Sequence, residues 1–144
     1  IFLGSSRQVN AMRDCAEYMC ALEASLDMVG GKWKALILWH LAEGALRYSE
    51  LGRLMPRATP KMLTQQLREL EADRLIARKV FPVVPPHVEY SLTDLGRSLV
   101  PLLGGMCDWG KRYLREVRGV ELPMCEKTGR ILHGKTGKSQ PLSS

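Results

Sequence analysis

Long apolar runs are missing from this 144-residue sequence: the longest, such as residues 35–41, meet charge well within the roughly 20 residues that a membrane-spanning helix needs. Behind Ile1 there is no basic segment leading into an apolar core and a small-residue cleavage site, so no secretory signal is expected and the expected location is cytoplasmic. Cysteine is sparse and unpatterned. Cys15, Cys20, Cys107 and Cys125 form no Cys-x-x-Cys, which removes the usual signature of a thiol oxidoreductase, and in a cytosolic chain they are expected as free thiols. Two cysteines five apart and three scattered histidines, His40, His87 and His133, match no zinc spacing, so no metal is expected. Gly-x-Ser-x-Gly, a phosphate-binding glycine loop and paired carboxylates on a plausible loop are also absent, leaving an enzyme without support and no cofactor to hold.

What is present suits one soluble domain with arms. Hydrophobic residues make up 45% and charged residues 25%, enough for a real core at this length. Lys and Arg outnumber Asp and Glu by 21 to 15, a net charge of +6 that suits a polyanionic partner.

The first 21 residues form an N-terminal arm, in which Val9, Met12, Ala16 and Met19 or Cys20 share one side of an amphipathic helix that needs a partner surface. Leu26, Val29, Trp33, Leu36, Ile37 and Leu41 then recur at helical spacing around Gly30-Gly31, which predicts a kink or two joined helices. Lys32 and Lys34 beside Trp33 are expected on a solvated face rather than on phosphate. Gly44 stands where a C-terminal cap would, and Ser49 offers an N-cap for a short helix with Leu51 and Leu54 inward.

After Pro56, Arg57 and Ala58, Thr59 is an N-cap and Pro60 fits the first helical position, where its missing N–H costs nothing. On a wheel of about 100° per residue, Leu63, Leu67 and Leu70 share one side. Lys61, Gln65 and Arg68 lie opposite, flanked by Met62 and Thr64, and the acids Glu69, Glu71 and Asp73 are held to the C-terminal half. Such a face carries the long donors that reach base edges and phosphate.

Next, 75–81 and 88–92 are β-branched or aromatic runs around a proline-rich tip, a β-hairpin. Thr93 is expected to cap a long helix to about Val117, bent at Pro101 and Gly104-Gly105. Its stripe of Leu95, Leu99, Leu102, Leu103, Met106, Trp109, Tyr113 and Val117 is either intradomain core or, the preferred reading, a dimer interface made with the N-terminal arm through Met12. Residues 119–144 are Gly-, Lys- and Ser-rich, a basic and flexible tail.

Helix, break, capped helix, hairpin is the order of a winged helix-turn-helix. The expected fold is mainly α with a small β-hairpin (α+β): a DNA-binding domain over 22–93, a dimerisation helix over 94–118, and N- and C-terminal helices forming the dimer interface. Lys61 and Gln65 sit where a recognition helix at 59–73 meets bases in the major groove. Arg57 and Arg68 suit backbone contacts, Arg47, Thr59, Met62 and Thr64 complete the face, and Arg78, Lys79 and His87 are the donors of a wing at 76–92.

Cys20-Ala-Leu-Glu23, Leu26-Asp27, Gly30-Gly31-Lys32-Trp33, Arg47-Tyr48-Ser49-Glu50-Leu51, the run from Thr59 to Gln65, and the run from Pro85 to Thr93 with Gly96 beyond it resemble the HxlR-type regulators, related to the MarR-like group, over about residues 15–116. The resemblance implies a bacterial or archaeal homodimer that binds a partly palindromic double-stranded DNA operator and answers an oxidant, an electrophile or a small-molecule effector. In some members similar to this chain, the cysteine at the position of Cys20 senses oxidants. From its own residues Cys20 is either a small buried hydrophobe or a sensor, and the second needs exposure. Three departures stand out: Arg74 where the family usually has Gly, His87 where Arg is common, and Arg57-Ala58 for a common Gly-Ile pair. Two competing readings remain: a winged helix used for protein contact, with an apolar or acidic outward face, and a regulator whose ligand sits at the dimer interface.

Overall fold

A computed structural model describes residues 18–122. The chain divides into two compact units, one ending at Arg97 and the other beginning at Ser98. The amphipathic helix expected around Met12, with Cys15, falls outside the described residues, as do Cys125, His133 and the rest of the expected tail beyond residue 122.

In the first unit, α1 (Ala21–Met28) and α2 (Lys32–Leu41) are separate helices rather than one kinked rod. Gly31 caps α2 at φ 78°, a left-handed backbone that a side chain would strain, so the glycine pair ends one helix and starts the next. Gly44 lies two residues beyond the C-cap of α2, Ala42, and its N–H still closes on the Leu41 carbonyl at 3.1 Å. Next come β1 (Leu46–Arg47) and α3 (Tyr48–Leu54). Ser49 is therefore inside α3 and Arg47 is its N-cap, because the Glu50 carboxylate reaches back to accept from the Arg47 N–H at 3.4 Å. Leu51 is fully buried, whereas Leu54 is exposed, contrary to its expected inward position.

The 13-residue α4 (Pro60–Ala72) starts where cap chemistry puts it, with the Thr59 hydroxyl oxygen accepting from the Met62 N–H at 3.2 Å. Leu63, Leu67 and Leu70 are buried along one side. They join Ile37, Leu38 and Leu41 from α2, Leu51, Met55, Leu75 and Ile76 in a continuous core, each large aliphatic side chain contributing about 1.5–3 kcal/mol by leaving water. Arg74, just past α4, has φ 62°, the left-handed conformation in which glycine costs least.

The hairpin is β2 (Ile76–Phe81) and β3 (His87–Leu92), paired antiparallel with Ile76 opposite Leu92 and Phe81 opposite His87. The unexpected β1 adds a third strand, order β1-β3-β2, by pairing Leu46 with Tyr90 and Arg47 with Glu89. Thr93 caps only the four-residue α5 (Asp94–Arg97), its hydroxyl accepting from the Gly96 N–H at 3.0 Å and approaching the Arg74 carbonyl at 2.7 Å. At Gly96 a Cβ would overlap the Leu75 carbonyl, so this turn closes only on glycine.

The second unit is α6 (Val100–Arg118), a new helix rather than the bent continuation of one starting at Thr93. Pro101 lies in its first turn, which tolerates proline, and Gly104 and Gly105 are carried inside the helix. Val100, Leu103 and Gly104 are buried, whereas Leu102, Met106, Trp109, Tyr113 and Val117 are exposed along a single face. No helix among the described residues is long and apolar enough to cross a membrane.

Candidate nucleic-acid interface

The forward end of α4 is a face of long polar and basic side chains on a helix fixed from behind. Lys61 and Arg68 are exposed, Met62 is 38% exposed, and Gln65 is half-buried between them. Arg57 and Arg47 are also exposed, the first in the turn before Thr59. Among the described residues no carboxylate forms an ion pair with Arg57, Lys61 or Arg68. Their charge is available to a polyanion, with Arg57 and Lys61 at the positive end of the dipole of a 13-residue helix.

The two hydroxyls among the expected contact residues already have structural partners. Thr59 uses its hydroxyl oxygen as the helix cap. Thr64 lies 3.1 Å from the Tyr48 hydroxyl, which sits 3.1 Å from the Pro60 carbonyl. Since Tyr48 has one hydroxyl proton and the carbonyl can only accept, Tyr48 donates to Pro60 and Thr64 donates to Tyr48. Tyr48 thus ties α3 to the first turns of α4, a role the linear sequence does not reveal because the partners lie 12 and 16 residues away.

Two further residues were missed in the same way. The Lys34 ammonium, expected on a solvated face, instead forms an ion pair with Glu69 Oε2 at 3.2 Å, with both side chains nearly buried. Glu69 Oε1 accepts from Gln65 Nε2 at 3.4 Å. A polar chain therefore runs from α2 along the flank of α4 to its forward face.

The wing's three donors do not act from one face. Strand alternation puts Arg78 with Tyr90, and together with Thr64, Arg68 and Glu71 they line a cavity of about 340 Å³ between α4 and the sheet. Lys79 and His87 occupy the other face. There the Lys79 ammonium lies 4.9 Å from the Phe81 ring centre, the His87 ring stacks on Phe81 at 4.7 Å, and His87 Nε2 is 3.0 Å from Glu89 Oε2. His87 is therefore held within the wing rather than extended from it.

Cys20, at the N-cap of α1, is exposed, as a sensor would need, and Cys107 is half-buried. Among the described residues no group of His, Cys, Asp and Glu could hold a metal ion. Of the residues expected at a dimer interface, Leu103 is buried within the chain and Leu99 half-buried, whereas Leu102, Met106, Trp109 and Tyr113 are exposed.

A capped helix with a basic forward face, a supporting helix before it and a three-stranded wing behind it define a winged helix-turn-helix of the kind that regulates transcription. The chain belongs to the HxlR-like helix-turn-helix family, whose pattern it matches over residues 28–118, and is a transcriptional regulator with a helix-turn-helix DNA-binding domain. It is 51% identical over 112 residues to the uncharacterised HTH-type transcriptional regulator YtcD of Bacillus subtilis, covering 78% of this chain and 89% of that one. Its structure is similar to the redox regulator HypR in its oxidised form, with TM-score 0.62 and 48% identity over 65% of this chain and 96% of that one. It is also similar to a MarR-family transcriptional regulator of Porphyromonas gingivalis W83, with TM-score 0.63 and 37% identity over 68% of this chain and 96% of the other.

Proposed function

We propose that this regulator acts in the cytoplasm as a homodimer on a partly palindromic operator, with α4 in the major groove and the β2-β3 wing beside it. Lys61 and Gln65 contact bases, Arg57 and Arg68 contact the backbone on either side, and Arg78 reaches phosphate from the wing. The observation that carries the reading is the forward face of α4: Lys61 and Arg68 exposed with no ion-pair partner among the described residues, on a helix anchored by Leu63, Leu67 and Leu70. The exposed row from Leu102 to Val117 supports pairing of two copies, since an apolar face of this length on a soluble chain marks an interaction surface.

The competing reading, a winged helix used for protein contact, rests on the exposure of Met62 alone. Titrating salt against binding to a random duplex separates the two. Counterion release makes DNA affinity fall steeply, about one power of the salt concentration per neutralised phosphate. Lack of any measurable DNA affinity at low salt would reject DNA binding.

We further propose that Cys20 makes operator release responsive to oxidants or electrophiles, on the basis of its exposure and the likeness to HypR. Thiol modification should release operator DNA from the native protein. A Cys20→Ser variant that keeps the full response would remove Cys20 from that role.

A further inference from the structure

Gln65 does not face the groove as a free side chain. Its amide nitrogen is 3.4 Å from Glu69 Oε1, one turn further along α4, and the other carboxylate oxygen of Glu69 is 3.2 Å from the Lys34 ammonium. Only 13% of the Lys34 side chain and 12% of that of Glu69 is exposed. The pair thus sits between α2 and α4, in the scaffold, while Gln65 at its end sits on the face proposed to meet DNA.

We propose that Glu69, held by Lys34, is a positioning residue that fixes the orientation of the Gln65 amide and with it the base that Gln65 prefers. The inference rests on Gln65 being a base-contacting residue. A carboxylate accepts hydrogen bonds and cannot donate, so only the NH₂ end of the amide can turn toward Glu69. That leaves the amide oxygen and the second N–H free to face the groove together. One acceptor beside one donor complements the N6 donor and N7 acceptor of adenine. Without Glu69 the amide could turn over, and the donor and acceptor would exchange places. Lys34 has two effects here: it holds the carboxylate in place, and it offsets a negative charge that would otherwise lie within a turn of residues meant to approach phosphate.

Selection of full-length protein against a randomised duplex pool tests this, using wild type, Gln65→Ala, Glu69→Gln, Lys34→Gln and the Gln65→Ala/Glu69→Gln double variant, each checked by thermal unfolding. Wild type should select an adenine at one position of each half-site, and Gln65→Ala should lose that preference. Glu69→Gln, whose amide can donate as well as accept, should lower the preference at the same position roughly tenfold, while affinity for random duplex stays within about threefold. Lys34→Gln should shift the same position in the same direction, and the double variant should lose nothing beyond Gln65→Ala alone. The positioning role is overturned if Glu69→Gln and Lys34→Gln keep the wild-type preference, or lower binding to selected and random DNA equally, while Gln65→Ala alters the selected sequence. If Gln65→Ala itself leaves every selected position unchanged, base contact by Gln65 fails, and the positioning role with it.

Discussion

The two long helices solve opposite problems with the same kind of sequence. In α4 the apolar residues Leu63, Leu67 and Leu70 are buried, and the face left in water is polar and basic. In α6 only Val100, Leu103 and Gly104 are buried, and the face left in water is Leu102, Met106, Trp109, Tyr113 and Val117, with the Trp109 and Tyr113 rings stacked at 5.5 Å. Both helices are amphipathic, so periodicity alone does not separate them; burial does. The apolar side of α4 is satisfied within its own unit, freeing the other side for a charged partner. The long apolar side of α6 has what a second protein surface would cover.

That contrast can be broken by mutation. Leu67→Ala, at the centre of the buried side of α4, should destabilise the protein by about 2–5 kcal/mol in denaturant unfolding, through lost burial and the cavity left behind. A cost as small as that of an exposed leucine would mean α4 is not anchored as described. Trp109→Ala should have its effect elsewhere: self-association measured by sedimentation over a dilution series should weaken by about 2 kcal/mol or more, as for a central aromatic anchor. Unchanged association would remove α6 from the proposed pairing surface.

Smaller effects sharpen the account of how α4 begins and ends. Thr59→Ala removes the side-chain acceptor of the Met62 N–H and should cost roughly 1 kcal/mol of stability, read from the thermal midpoint. Arg74→Gly relieves the left-handed backbone just after α4 and should raise stability by about 0.5 kcal/mol, since the relief of strain is partly offset by the greater freedom of glycine in the unfolded chain. A destabilised Arg74→Gly would mean that the arginine side chain contributes more than its backbone costs.

Features set by neighbours in the chain were legible from the sequence. Thr59-Pro60 marks the start of α4 because a cap and a first-turn proline act over three residues, and the Leu63, Leu67 and Leu70 spacing marks its buried side. The glycine pair at 30–31 was visible because backbone conformation is a local property, whereas Arg74 stood out only against the glycine usual in the family it resembles. Features set by distant partners were not. A two-residue strand such as β1 is too short to show alternation, and its partner Tyr90 is 44 positions from Leu46. Nothing near Lys34 predicts an ion pair with Glu69, and nothing near His87 shows that Phe81 and Glu89 would hold its ring. The stripe from Leu95 to Val117 read as one helix because periodicity is indifferent to the break at Ser98 and Leu99 that separates α5 from α6.

The central claim is that the forward face of α4 reads DNA and does not merely adhere to it. Its most direct test is the ratio of affinities for a selected duplex and for random duplex, measured at one salt concentration for wild type and Gln65→Ala. The account predicts that the variant loses about 1–3 kcal/mol of discrimination while its affinity for random DNA is nearly unchanged. Equal losses on both duplexes would contradict it.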